Sequence, residues 1–254
     1  MKIKRIIRSI ANRTLISKPI DKKLQKKFKE QFIEFKELSN SFPPRFNIKW
    51  RDRYPIFNEK SKNHWFDQHY IYHTAWAARK LRTISPSYHV DFSSSLYFNA
   101  IASAFIPIKF YDYRVTNLSL NGLDCGYSDL TDLGFSDGSI ESLSCMHVIE
   151  HIGLGRYGEP LDPNGDLRAF KELNRVLSPK GSLLLVVPIG MPVLQFNAQR
   201  IYSFNQIADI FSDLHLIEFS LVPDDKRLGI VINAPPLLAN KQDYGCGCFW
   251  FVKE

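Results

Sequence analysis

Residues Ile140 to Pro188 read IESLSCMHVIEHIGLGRYGEPLDPNGDLRAFKELNRVLSPKGSLLLVVP. The opening IESLSCMHV has the alternation of a strand, and GDLRAFKELNRVL has the spacing of a helix. SPKG supplies a turn, and SLLLVVP is an apolar run of the kind buried on both faces of a sheet. Strand, helix and strand in that order make a βαβ unit, so the pattern predicts a mostly parallel sheet covered by helices.

The same alternation extends both ways from this unit. Upstream, YHVDF reads as a first strand, LYFNAIASAF as a helix, IKFYDY as a second strand and LDCGY as a third. Downstream, FNQIADIFSDL reads as a helix capped by Ser203, HLIEFSLV as a sixth strand and GCGCFWFV as a seventh. The expected architecture is therefore α/β and Rossmann-like, with seven strands and helices on both faces. Such sheets bind ligands beyond the carboxyl ends of their strands, near the point where the strand order reverses.

That rule selects the residues to weigh. The first strand ends in Asp91 and continues as Ser93, Ser94 and Ser95, where nucleotide-binding folds usually place glycines. The second ends in Asp112, about 20 residues on, a position from which a carboxylate accepts hydrogen bonds from a ribose diol. Asp129 and Leu130 follow the third strand, and such a pair can read an adenine amino group and cover its face. After the fourth strand come His147, Glu150 and His151 in the order H-x-x-E-H. One class of zinc peptidases uses that order on a helix, but Gly153, Gly155 and Gly158 stop any helix within a turn. No metal site is assigned, and Cys246 and Cys248 are read as buried thiols on one face of a strand. In HWFDQHYIYHTAWAARKLR, the residues Trp65, His69, Tyr72, His73 and Trp76 are read as packing rather than as a pocket.

Charge divides the chain differently. Residues 1–40 hold 12 Lys and Arg against 4 Asp and Glu, a balance of +8, so the remainder sits at −1 within a total of +7. Ile3, Ile6, Ile7 and Ile10 follow helical spacing between basic residues, and a second basic helix resumes after Pro19. Residues 1–60 are expected to form a basic helical arm with a proline-containing linker, and 61–254 the α/β domain. A basic amphipathic arm offers peripheral contact with an anionic membrane. Nucleic acid is not expected, because the body is slightly acidic and carries no nucleic-acid-binding motif. No apolar run reaches membrane-spanning length, so the expected location is the cytoplasm or the inner face of its membrane.

YSDLTDLGFSDGSIESLSCMHVIEHI followed by DLRAFKELNRVLSPKGSLLLVVP is similar to the region after the first motif of class I S-adenosylmethionine-dependent methyltransferases. More narrowly, HVIEHIGLGRYGEPLDPNGD, FNAQR and YGCGCFW resemble a bacterial domain family of unknown function, regarded as methyltransferase-like and associated with surface-polysaccharide genes. The resemblance covers roughly Asp67 to Lys253. It implies that S-adenosylmethionine is bound by Asp91, Ser93, Ser94 and Ser95 of the first loop, by Asp112, Asp129 and Leu130, and by His147. DFSSS departs from the family's G-x-G. Transfer of a methyl group to a sugar hydroxyl needs a base, for which His147 and His151 stand with Glu150 to orient them. Arg156, Tyr157, Asp162, Asn197 and Arg200 are expected to face the acceptor, a small molecule or glycan of a surface polysaccharide or its precursor, with tying the loops together as the alternative role for such polar residues. The alternative from a different class is a non-catalytic scaffold of the same fold in a polysaccharide-assembly complex, supported by the glycine-less loop and the basic arm.

Overall fold

The computed structural model describes residues 22–57 and 65–254, which fall into two compact units, Met1–Trp65 and Phe66–Glu254. The isoleucine pattern of the first basic helix lies outside the described residues. In the first unit, helix α1 (Lys22–Ser39) carries no buried side chain. Its Phe28 and Phe32 pack on Trp50 of a short 3₁₀ turn, Trp50–Asp52, with ring centroids at 6.0 and 4.9 Å. Arg53 lies 4.5 Å over the same indole. Among the described residues, no helix is long and apolar enough to cross a membrane.

The second unit begins with α2 (Gln68–Ile84), whose first turn is capped by the Asp67 carboxylate accepting from the Tyr70 amide. It continues through β1 (His89–Phe92), α3 (Leu96–Ala102), β2 (Ile108–Asp112), β3 (Leu123–Tyr127) and β4 (Ile140–Met146). After a 3₁₀ turn at Ile149–His151 come α4 (Gly165–Val176), β5 (Leu177–Ile189), β6 (Val193–Gln195), β7 (Gln199–Ile201) and α5 (Phe204–Ile210). The chain ends with β8 (Leu214–Val222), α6 (Pro236–Ala239) and β9 (Gly245–Lys253).

Seven of these strands form one sheet in the order β3-β2-β1-β4-β5-β9-β8. β9 runs antiparallel to β5 and β8, while the other pairings are parallel. This is the Rossmann-like α/β arrangement predicted from the alternation. Side chains of β5 divide between two cores, as the period of a strand requires. Leu183, Leu185 and Val187 join Phe170 of α4 and Ile207 of α5. Leu184 and Val186 join Trp76 and Leu81 of α2 and Phe98 of α3.

One local reading changes. SPKG does not end before the strand but forms a looped irregularity within β5: Ile140 pairs with Leu177 and Ser142 with Ser182, with Lys180 left-handed at φ 62°. The FNAQR segment supplies the turn and the start of the second strand of a small β6–β7 hairpin, with Gln199 and Arg200 already in β7. Asn197 sits there at φ 62° and the Ala198 amide donates to the Gln195 carbonyl.

Candidate active site

β1 and β4 are neighbours, with β2 beyond one and β5 beyond the other, so the strand order reverses between them. The loops after β1 to β4 enclose a cavity of about 310 Å³. Its wall includes Ser93, Asp112, Asp129, Leu130, His147, His151, Tyr157 and Asp162, all of them singled out in the sequence. Arg114 also lines it, as do Thr131 and Arg168, which had no sequence signal beyond their place in these loops.

The loop after β1 solves the lack of glycine with a serine. Ser93 takes the left-handed conformation at φ 58°, a region that costs a residue with a Cβ about 1–2 kcal/mol. Its amide donates to the Tyr111 carbonyl at 2.7 Å. Asp91 is fully buried behind it, with Oδ1 accepting from the Ser94 amide (3.0 Å) and Asn99 Nδ2 (2.9 Å), and Oδ2 from Ser144. Ser94 Oγ in turn accepts from the Met146 amide at the end of β4. Asp91 and Ser94 thus hold the loop in shape rather than face the cavity, and Ser95 is the residue preceding α3. Burial pushes the Asp91 carboxyl up to about 6 against those hydrogen bonds.

Asp112 spends Oδ1 on the Arg114 amide (2.7 Å) and Nε (3.4 Å), and Asp129 Oδ1 accepts from both the amide and the hydroxyl of Thr131. Arg114 lies 4.7 Å over the Tyr157 ring, joining the β2 loop to the loop after β4.

His147 follows β4 directly, left-handed at φ 57°, its amide bound to the Val186 carbonyl. Its Nδ1 lies 2.9 Å from Glu150 Oε1 and donates to that carboxylate. Nε2 is buried with no hydrogen-bond partner, as is Glu150 Oε2. His151 has Nδ1 2.6 Å from the Ala198 carbonyl, which acts as acceptor, and Nε2 3.7 Å from Glu150 Oε1. Glu150, only 1% exposed, therefore stands between the two histidines. Burial, above all, lowers the His151 pKa, so its imidazole is neutral near pH 7.

α2 brings in His69 and His73, which the sequence alone assigns to packing. His73 and Trp76 are indeed buried, but both histidine rings meet His147, His69 stacked at 5.4 Å and His73 edge-on at 5.1 Å. Their spacing of four residues, one face of a helix, was the available signal.

The expected acceptor residues separate. Arg200 does not face the mouth: it is buried, donates to the carbonyls of Ile152 (2.7 Å) and Pro163 (3.2 Å), and lies 3.3 Å from Asp166. Asn197 donates to the Leu154 carbonyl, and Arg156 to that of Ala198. These three tie the loops together, because carbonyls exposed by a chain that turns at Gly153 and Gly155 need donors. Gly153 is itself required there: at φ 76°, a Cβ would lie 2.1 Å from the Asp162 carbonyl oxygen. Tyr157 and Asp162 remain on the cavity wall.

Comparison with other proteins adds the fold's affiliation. Residues 135–233 match a family described as "Caenorhabditis protein of unknown function, DUF268". None of the curated proteins matches the chain. Among solved structures, a protein from Galdieria sulphuraria described as a sarcosine dimethylglycine methyltransferase is 11% identical, with a TM-score of 0.51 over 71% of this chain and 85% of that one. A chain from the Haloferax volcanii complex of the Trm112 methyltransferase activator with a methyltransferase is 18% identical, with a TM-score of 0.49 over 71% and 88%. The fold is that of the class I S-adenosylmethionine-dependent methyltransferases.

Proposed function

We propose that the protein is an S-adenosylmethionine-dependent methyltransferase that acts on a hydroxyl group of a sugar. The observation that carries this reading is the assembly of Ser93, Asp112, Asp129, Leu130 and His151 around one cavity at the strand-order reversal. The donor set fits the cofactor. Asp112 at the end of β2 offers a carboxylate to a ribose diol, and Leu130 beside Asp129 offers an apolar face next to an acceptor for an adenine amino group. The left-handed Ser93 gives the first loop the turn that glycine gives elsewhere.

Bound there, S-adenosylmethionine supplies a methyl group on a sulfonium, open to in-line attack. His151 Nε2 would take the proton of the acceptor hydroxyl. The Ala198 carbonyl accepts from Nδ1 and so puts the lone pair on Nε2, and Glu150 would stabilise the imidazolium against the opposing charge of Arg156, whose Nη1 lies 3.4 Å from Nε2. Tyr157, flanked by Arg114 and Arg156, gives the acceptor an aromatic surface with cations beside it. The surface-polysaccharide role rests on the sequence resemblance and on this polar, aromatic mouth.

Calorimetric titration of the full chain with S-adenosylmethionine tests the reading. Binding is expected, weakened about 10-fold or more by Asp112→Ala, the loss of a hydrogen bond to a charged group. His151→Gln is expected to bind cofactor normally while losing transfer to sugar acceptors by 10²-fold or more. Absence of heat at millimolar cofactor with folded protein would defeat it and leave the non-catalytic scaffold.

A further inference from the structure

We propose that His69, His147 and Cys246 form a zinc(II) site. One ring nitrogen of each histidine and the cysteine sulfur lie within 4.8 Å of one another. They come from three elements far apart in sequence: the first turn of α2, the residue after β4 and the start of β9. A tetrahedral zinc ion with bonds of about 2.0–2.1 Å to nitrogen and 2.3 Å to sulfur sets ligand separations of roughly 3.3–3.6 Å. Closing the present triangle onto an ion therefore needs movements of about an ångström.

A second observation points to the same ion. His147 Nε2 is buried without a partner, while Nδ1 is bound to Glu150. A histidine whose far nitrogen donates to a carboxylate is how metal-binding imidazoles are held, with the tautomer fixed and the ligating nitrogen made more basic. The His147 ring is further held by His69 stacked on it. Two imidazoles and one thiolate form a borderline-soft set, suited to zinc and poor for magnesium or calcium. On binding, the Cys246 thiol releases its proton to water and the thiolate takes the ion. Three protein ligands leave a fourth position for water or an exogenous donor. The site does not depend on methyl transfer, since proton removal there falls to His151.

The test uses the full-length protein, stripped with chelator, incubated with zinc chloride, desalted and assayed by elemental analysis. One equivalent is expected in the wild type and below about 0.2 in Cys246→Ser and in His69→Gln. Cys248→Ser, whose sulfur lies 4.0 Å from that of Cys246, is expected to keep the full equivalent. Cobalt substitution should give a thiolate-to-metal charge-transfer band that Cys246→Ser abolishes. Circular dichroism establishes that each variant is folded. If Cys246→Ser does not fold, His69→Gln on the helix decides. Wild-type protein holding less than 0.2 equivalents, or equal zinc in wild type and both ligand variants, overturns the site. Either result leaves cofactor binding to be judged by its own titration.

Discussion

Ser93 shows how one residue meets a demand usually met by glycine. The left-handed turn costs a residue with a Cβ about 1–2 kcal/mol, whereas glycine gives up about 0.5–1 kcal/mol of unfolded-state freedom. The Ser93 hydroxyl recovers little, since its bond to the Tyr111 carbonyl is long at 3.2 Å. Ser93→Gly should therefore leave stability within about 1 kcal/mol of the wild type, on the stabilising side, and keep the loop. Ser93→Val, β-branched in the same conformation, should lose about 2 kcal/mol. Urea denaturation of the two variants measures both, and a loss above about 2 kcal/mol for Ser93→Gly would mean that the hydroxyl holds the loop. The sequence showed that three serines stood in the loop. It did not show which would turn left-handed, because that choice depends on the carbonyl of Tyr111 in the neighbouring strand.

At the level of elements, the β6–β7 hairpin is joined to the loop after β4 and to α4 through Arg200. Its guanidinium satisfies two carbonyls and lies against the buried Asp166, which also accepts from the Tyr202 hydroxyl at 2.9 Å. Arg200→Ala would leave the Asp166 carboxylate buried without its cation, a loss of about 3–5 kcal/mol. The expected result is a lower unfolding midpoint in guanidinium chloride, with loop disorder and reduced turnover following from it. Had Arg200 served the acceptor, the same substitution would raise KM at unchanged stability, and the denaturation curve separates the two. Element type and order were legible here because polarity follows the period of each strand and helix. The hairpin was not legible: a three-residue strand has too few positions to show a period, and its pairing is set by the turn at Asn197.

Across the whole molecule, stability should fall on the acid side of neutrality. His89 is fully buried between the hydroxyls of Ser142 and Ser144, and burial lowers its pKa from 6.5 to about 3. A base depressed on folding contributes its full stability above its unfolded pKa, and that contribution is lost as pH falls from about 6.5 toward 3. Between pH 7 and 5 this loss is about 2 kcal/mol. His73 is also pushed down by burial and adds a loss of the same sign, and the partly exposed His69, lowered to about 4, adds a smaller one. Asp91 opposes them: raised from 3.8 to about 6, it favours the fold as pH falls, by about 1.4 kcal/mol over the same interval. The histidines outweigh it, so the unfolding free energy at pH 5 should lie at least 1–2 kcal/mol below that at pH 7. His89→Gln should flatten the slope. Equal or greater stability at pH 5 would contradict the neutral buried histidines.

The sequence by itself determined the α/β alternation, the positions of the strand ends and the residues that stand at them, because these follow from local periodicity and from the rule that ligands meet a sheet at its carboxyl edge. It also separated the basic arm from the near-neutral body. Only the tertiary structure decided which of those residues face the cavity, which ones hold loops together, and that His69 and Cys246 meet His147. Those outcomes depend on crossovers that bring α2, β4 and β9 to one place, and contacts between residues so distant in the chain leave no periodic trace along it.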